Sequence, residues 1–286
     1  MTYTSAHDRE GEGVALESTF VPNFYLDHYQ RQTTLISKLF GYYADRSAFH
    51  EKFRISLWDV YITPQVPELW KRGFITPIPK IPKPETCNDL RPVTITSIFA
   101  RIAESFPASW IKDDTRPHLD PHQYGNREKT STSHYLLYLI DFLYKTTDNS
   151  NKCVAVLSID FSKAFDRVDH TIALQHLLNN GMRGELVAWV SSFLTGRSQV
   201  VRYCGTTSTQ RNSTCGVPQG TVLGPLIFNN HVNSAGQTEP VQCKFVDDLT
   251  IACTYDINNA PDTQDQANRV LQWSKDNNMS DMNPVD

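Results

Sequence analysis

No run in this chain of 286 residues reaches the ~20 consecutive apolar residues that a helical membrane span needs, so no membrane contact is expected. The N-terminus, Met1-Thr2-Tyr3-Thr4-Ser5-Ala6-His7-Asp8, lacks the apolar core of a signal peptide, and the expectation is an intracellular protein, nuclear or cytoplasmic and not secreted. The cysteines (Cys87, Cys153, Cys204, Cys215, Cys243, Cys253) include no C-x-x-C pair, which argues against a zinc site or a disulfide framework. The histidines show no metal-ligand spacing, and His170 and His176 read as helix-surface or capping neighbours. Internal repeats and low-complexity tracts are missing as well. Nor is there an excess of positive charge: the formal net charge is −4, which gives no overall attraction to a phosphate backbone.

What is present is a globular composition, 40% hydrophobic, enough for one large domain or two small ones. Charge is unevenly placed. Between Lys71 and Arg101, the cations Lys71, Arg72, Lys80, Lys83, Arg91 and Arg101 face only Glu85 and Asp89, whereas the stretch from Asp256 onward is acidic. Cys153, Cys243 and Cys253 fall in apolar, strand-like runs and read as small core residues.

Two acidic elements carry the chemistry. The apolar run Cys153-Val154-Ala155-Val156-Leu157-Ser158-Ile159 has strand character and ends on Asp160. Farther along, Phe245-Val246-Asp247-Asp248-Leu249 sets two adjacent aspartates between apolar stretches, which reads as a hairpin with acid at its turn. Like charges there disfavour pairing, and a bland hairpin would carry Asn-Gly or Asp-Gly. A lone Asp at a strand end is commonly a turn or cap residue. Three carboxylates converging from the two elements would instead supply oxygen ligands for two Mg²⁺ ions about 3.5–4 Å apart.

Between these elements lies Cys215-Gly216-Val217-Pro218-Gln219-Gly220-Thr221-Val222-Leu223-Gly224-Pro225-Leu226, a shaped Gly/Pro loop leading into a helix near Leu226-Ile227-Phe228. Glycine permits close approach of backbone to a ligand, Pro218 fixes the turn, and Gln219 offers both donor and acceptor.

The ordered set LSIDFSKAFDRVDH, GVPQGTVLGPLIF and FVDDLTI resembles the reverse transcriptase domain of non-LTR (LINE-type) retrotransposons. Upstream, Val66 to Lys80 and Asp89-Leu90-Arg91-Pro92-Val93-Thr94-Ile95-Thr96 are similar to the fingers motifs of that family. Gln123-Tyr124-Gly125 resembles its segment before the palm, and Leu271 to Asn283 a later element. The resemblance implies an α+β fold of the right-hand polymerase type, with fingers and an antiparallel palm sheet flanked by helices. It implies RNA-directed DNA polymerase activity, in which dNTPs are added to a primer 3′-OH on an RNA template with two Mg²⁺ ions, or Mn²⁺ in their place. No other small-molecule cofactor is implied.

Carried over to this chain, the resemblance makes Asp160, Asp247 and Asp248 the catalytic metal ligands, joined by the backbone carbonyl of Phe161. Phe165 falls at the aromatic position that lies under the incoming sugar and clashes with a 2′-hydroxyl. Lys80, with Lys83 close by, and Arg91 would neutralise triphosphate charge. Gln219 and Gly220 would sit beneath template and nucleotide. Viral RNA-directed RNA polymerases share the carboxylate pattern but carry a Ser-Gly…Thr…Asn element where this chain has Pro-Gln-Gly.

The domain reading is an N-terminal region of unclear origin over 1–65, partly helical, then fingers over 66–131 and a palm over 132–286. Helices are expected over Thr132–Lys145, from Asp169 as cap through Leu178, over Glu185–Leu194 and over Gln264–Ser274, with an edge strand at Gln199–Tyr203 turned by Gly205. Residues 1–65 lack the family's usual early signature, and Asn229 to Ser234 is more polar than the family pattern, which reads as decay or a deletion. The expectation is thus a truncated domain with an incomplete palm and no thumb. Its rival is a catalytically silent retroelement remnant that at most binds nucleic acid or a partner protein. A stand-alone RNA-binding module would need exposed aromatics on a basic sheet face, which the sequence does not show.

Overall fold

Strand and helix signals separate cleanly along the chain. The computed structural model describes residues 65–148, 151–237, 239, 241–259, 263–279 and 282–284, and the expected N-terminal region lies outside them apart from its last residue. After a short 3₁₀ turn at Glu68–Lys71, β1 (Arg72–Pro79) and β2 (Leu90–Ile95) pair antiparallel, with Phe74 opposite Ile95 and Ile78 opposite Arg91. Helix α1 (Ile98–Thr115) begins where the Ser97 hydroxyl accepts the Phe99 N–H, and α2 spans Thr132–Thr147. Strand β3 (Lys152–Phe161) follows, then the short α3 (Ala164–Arg167). The Asp169 carboxylate caps α4 (His170–Asn179) by accepting from Thr171 and Ile172, and the helix is closed by Gly181 at φ 86°. Helix α5 spans Gly184–Leu194.

Next come β4 (Ser198–Tyr203), β5 (Thr206–Thr207) and β6 (Arg211–Asn212), then α6 (Leu223–His231). The chain continues through β7 (Gln242–Phe245), β8 (Asp248–Asp256), α7 (Thr263–Asp276) and β9 (Met282–Pro284). The fold is α+β with two sheets. In the first the order is β2-β1-β4-β5, with β6 also on β4; in the second it is β7-β8-β3-β9, antiparallel throughout.

Two local expectations are corrected. Gln199–Tyr203 is not an edge: β4 runs parallel to β1 on one side and antiparallel to β5 and β6 on the other. Short strands following a tight Cys204-Gly205 turn cover the flank that the alternating pattern alone leaves open. The first sheet joins β1 and β2, from before residue 131, to β4, β5 and β6, from beyond it. Second, of the cysteines read as core only Cys243 is buried, while Cys153 and Cys253 are half-buried. Helix α2 forms where expected; Leu136, Leu137, Ile140 and Tyr144 are exposed on it, and Tyr135 reaches the second sheet, its hydroxyl 2.6 Å from that of Thr250.

The core lies between the second sheet and helices α1, α4, α5 and α6, and includes Ile111, Leu177, Leu194, Leu223, Ile227, Phe228, Leu249 and Ile251. Burial of such side chains is worth about 1.5–3 kcal/mol each. The polar run at the end of α6 belongs to this core and is not a decayed segment. Asn229, Asn230, His231 and Asn233 are buried. Asn229 donates to Gly125 O, Asn233 to His118 O, and Asn180 to Asn230. No helix among the described residues is long and apolar enough to cross a membrane.

Candidate active site

The β3–β8 ladder fixes the central relationship. Its register sets Asp160 directly opposite Asp248, at the end of pairs that begin with Lys152 opposite Asp256. Directly opposed residues share one face of a sheet with Cβ atoms about 4.5–5.5 Å apart. Asp247 occupies the hairpin turn between β7 and β8, one residue before Asp248. Burial is the largest cause pushing Asp247 above the usual carboxylate range, and the charges of Asp248 and Asp160 add to it. Asp248 has a solvent-exposed side yet is also raised, by partial burial and then by Asp160.

Among the described residues, no group of three or more His, Cys, Asp and Glu side chains is placed so that it could hold a metal ion. The chemistry of the donor set nevertheless fits a hard divalent cation. It is all oxygen, it carries three like charges that repel, and no lysine or arginine among the described residues pairs with it. Phe161, whose carbonyl was expected to contribute, ends β3 with its ring buried against Trp273, centroids 5.6 Å apart, and its backbone is paired with Met282.

The Gly/Pro loop folds back along the segment after β3. Gly216 N–H donates to Val168 O and Val217 N–H to Phe165 O, each at 2.8 Å. Gly216 has φ 81°, and a Cβ there would lie 2.7 Å from Asp166 O, so the close approach requires glycine. Phe165 is half-buried and stacks on Phe228 of α6, with centroids 4.2 Å apart and planes 13° from parallel. The loop is also clipped to the first sheet, where Thr94 N–H donates to Gln219 O at 2.8 Å. Gly220, at φ 102°, passes so close to Thr94 O that a Cβ would stand 2.8 Å from it. Gln219 Nε2 reaches Asp166 Oδ1 at 3.5 Å.

These contacts bound a cleft of about 370 Å³, lined by Gly73, Ile75 and Thr94 of the first sheet and by Asp166, Arg197 and Gln219. None of Asp160, Asp247 and Asp248 lines it. Lys80 is exposed just beyond β1, and its charge lowers the Asp166 acid against the larger raising effect of burial. Arg91 is exposed on β2. Strand alternation sets it on the face opposite the cleft-lining Pro92 and Thr94, so the structure does not bring it together with Gln219 there.

Sequence reasoning missed Glu104. Its carboxylate, only 2% exposed on α1, accepts from Val222 N–H at 2.7 Å and Leu223 N–H at 3.2 Å, and so caps α6 directly after the loop. A single acid among the apolar positions Ala100, Ala103, Phe106 and Ile111 was the available signal. Burial raises Glu104 despite those bonds, and it also lowers the neighbouring Arg197.

A family model described as reverse transcriptase (RNA-dependent DNA polymerase) matches residues 81–281. The chain is 29% identical over 222 residues to a probable RNA-directed DNA polymerase from transposon X-element of Drosophila melanogaster, an alignment covering 73% of this chain and 24% of that relative. It is 28% identical to the RNA-directed DNA polymerase from mobile element jockey of the same fly, over 65% of this chain and 20% of the relative. It is 27% identical to a Pol polyprotein from the type-1 retrotransposable element R2 of Popillia japonica, over 57% and 23%. The chain thus spans about a quarter of the length of these relatives. With the match extending over most of its residues and all three motifs inside it, the chain belongs to the reverse transcriptase (RNA-dependent DNA polymerase) family, as a domain of the non-LTR, LINE-type retrotransposon branch.

Proposed function

We propose that this domain adds dNTPs to a primer 3′-OH on an RNA template, with the second sheet as the palm and the first sheet as the fingers. In that reading residues 66–131 together with β4 to β6 form the fingers, and the rest of 132–286 forms the palm. The observation that carries it is the register that sets Asp160 opposite Asp248 with Asp247 in the adjoining turn. Asp160 and Asp247 would hold two divalent cations, Mg²⁺ or Mn²⁺, with Asp248 beside them and the Phe161 carbonyl as a further oxygen. When bound, the cations neutralise triphosphate charge and lower the pKa of the attacking hydroxyl.

The chain's own residues supply alignment, which is most of the catalytic task in phosphoryl transfer. Phe165 is fixed against Phe228 and presents a rigid aromatic edge beneath the sugar, selecting against a 2′-hydroxyl. Gln219 and Gly220 bring backbone and amide groups to the template–nucleotide pair from a loop held by Thr94. Lys80 and Arg91 would neutralise triphosphate charge, Lys80 as a point charge and Arg91 as a fork.

Primer extension on a homopolymer RNA template with Mg²⁺ or Mn²⁺ tests this, comparing the chain with Asp247→Ala. Incorporation that disappears in the variant supports both the activity and the assignment of the carboxylates. A folded chain that incorporates nothing overturns the reading in favour of a catalytically silent remnant.

A further inference from the structure

The turn bearing Asp247 is held by a residue that the proposed chemistry does not use. Only Val246 and Asp247 separate β7 from β8, and Phe245 pairs directly with Asp248. Val246 has φ 61°, whereas Asp247 is not among the positive-φ residues. A two-residue hairpin with positive φ at its first central position normally has glycine there. Among the described residues Val246 is the one β-branched residue in this region, which such side chains adopt only under external constraint.

That constraint comes from Gln123. Residues 122–124 run alongside β7, with Lys244 N–H donating to His122 O and Tyr124 N–H to Lys244 O, each at 2.8 Å. The Gln123 side chain, on a residue 3% exposed, then meets the turn twice. Its Oε1 accepts from Val246 N–H at 3.1 Å and its Nε2 donates to Val246 O at 3.2 Å, so one amide satisfies both backbone groups of the strained residue. The same Oε1 accepts from Gly125 N–H at 2.8 Å. Gly125 packs so closely that a Cβ would stand 2.3 Å from Val246 N, and its carbonyl is fixed by Asn229 of α6 at 2.9 Å. A contiguous set of contacts therefore runs from α6 through Gly125 and Gln123 to the backbone immediately before Asp247.

We infer that Gln123 is a positioning residue, clamping Val246 in its left-handed conformation and thereby fixing where Asp247 and Asp248 stand relative to Asp160. The catalytic consequence rests on the polymerase reading above; the clamp itself does not.

The test uses the full chain with Gln123→Ala, Gln123→Glu, Val246→Gly and the Gln123→Ala/Val246→Gly pair, read by primer extension and by amide hydrogen exchange of the hairpin. Gln123→Ala is expected to lower kcat by about 100-fold, the scale of a misplaced catalytic group, with KM for the dNTP little changed. Exchange should accelerate at the turn while β3 stays protected. Val246→Gly should restore most of the kcat lost in Gln123→Ala, because glycine holds positive φ unaided. Gln123→Glu keeps the shape and the acceptor but removes the donor to Val246 O, and carries the same readings if the alanine variant does not fold. A double variant no more active than Gln123→Ala alone overturns the clamp, as does unchanged exchange at the turn. If the unaltered chain incorporates nothing, the polymerase reading fails and exchange alone decides: lost protection at the turn upholds the clamp, and retained protection overturns it.

Discussion

Lys244 and Asp120 form an ion pair, Nζ to Oδ2 at 2.8 Å, with both side chains almost entirely out of water. Lys244 also donates to Asn233 O at 2.7 Å and Ala235 O at 2.9 Å, and Asp120 accepts from Gln242 Nε2 and His122 N–H at 2.9 Å. The pair ties β7 to the segment between α1 and α2, and the bonds to Asn233 and Ala235 tie the same lysine to the turn after α6. Removing one partner leaves a buried charge uncompensated, so Lys244→Met should destabilise the protein by about 3–5 kcal/mol. A lower urea midpoint at unchanged m-value checks this, and Asp120→Asn added to it should recover part of the loss.

His231 is fully buried on α6, edge-on to His176 and Trp273. Burial, followed by the His176 charge, pushes it down from 6.5 to about 4, with Asp169 and the Asn277 backbone opposing. The folded state therefore holds the ring neutral where the unfolded chain would protonate it. Stability from this group is complete above about pH 6.5 and is lost as the pH falls towards 4, by up to about 3 kcal/mol. Unfolding free energies across that window should show a shallower acid limb in His231→Phe.

Glu104 caps α6 from another helix, and Glu104→Ala should lower stability by about 2 kcal/mol. Glu104→Gln retains an acceptor for Val222 N–H and should lose less. Thermal unfolding of the two variants side by side provides the comparison.

Gly216→Ala places a Cβ against Asp166 O in a backbone region that alanine avoids. The expected destabilisation is about 1–3 kcal/mol, together with faster proteolytic cleavage within residues 213–222 as the loop detaches from Phe165 and Val168.

Asp248→Asn removes a like-charge pair directly across the ladder from Asp160. Without metal, the variant should be more stable than the unaltered chain by about 0.5 kcal/mol. Added Mg²⁺ or Mn²⁺ should raise the melting temperature of the unaltered chain more than that of the variant, which has fewer charges to offset.

What the sequence made legible was local. The strand ending near Asp160, the hairpin at Asp247-Asp248 and the Asp169 cap are each written in a few adjacent residues, and the structure contains the elements expected there. Partners distant in sequence were not legible. The parallel pairing of Arg72 with Ser198 has no periodic signature, and the alternation at Gln199–Tyr203 is the same for a flanked strand as for an edge. The stripe on α2 announced a helix but not how little of it would be covered. Asn229 and Asn233 looked like departures from an apolar pattern because their acceptors, Gly125 and His118, lie far upstream. Gln123 was visible only as part of a motif, and its task depends on a turn that no neighbouring residue reveals.

The β1–β4 pairing also orders events at the ribosome. At about 5–20 residues per second, β1 and β2 emerge roughly ten seconds before the strand that completes their sheet. Through that interval the hydrogen-bonding edge that Arg72 to Ile75 later share with Ser198 to Val201 is open, next to Phe74, Ile78 and Ile95, which stay exposed even in the finished fold. A nascent chain arrested within β3 or α4 would thus present an apolar two-stranded ribbon with a free edge, a substrate for chaperones or a seed for aggregation.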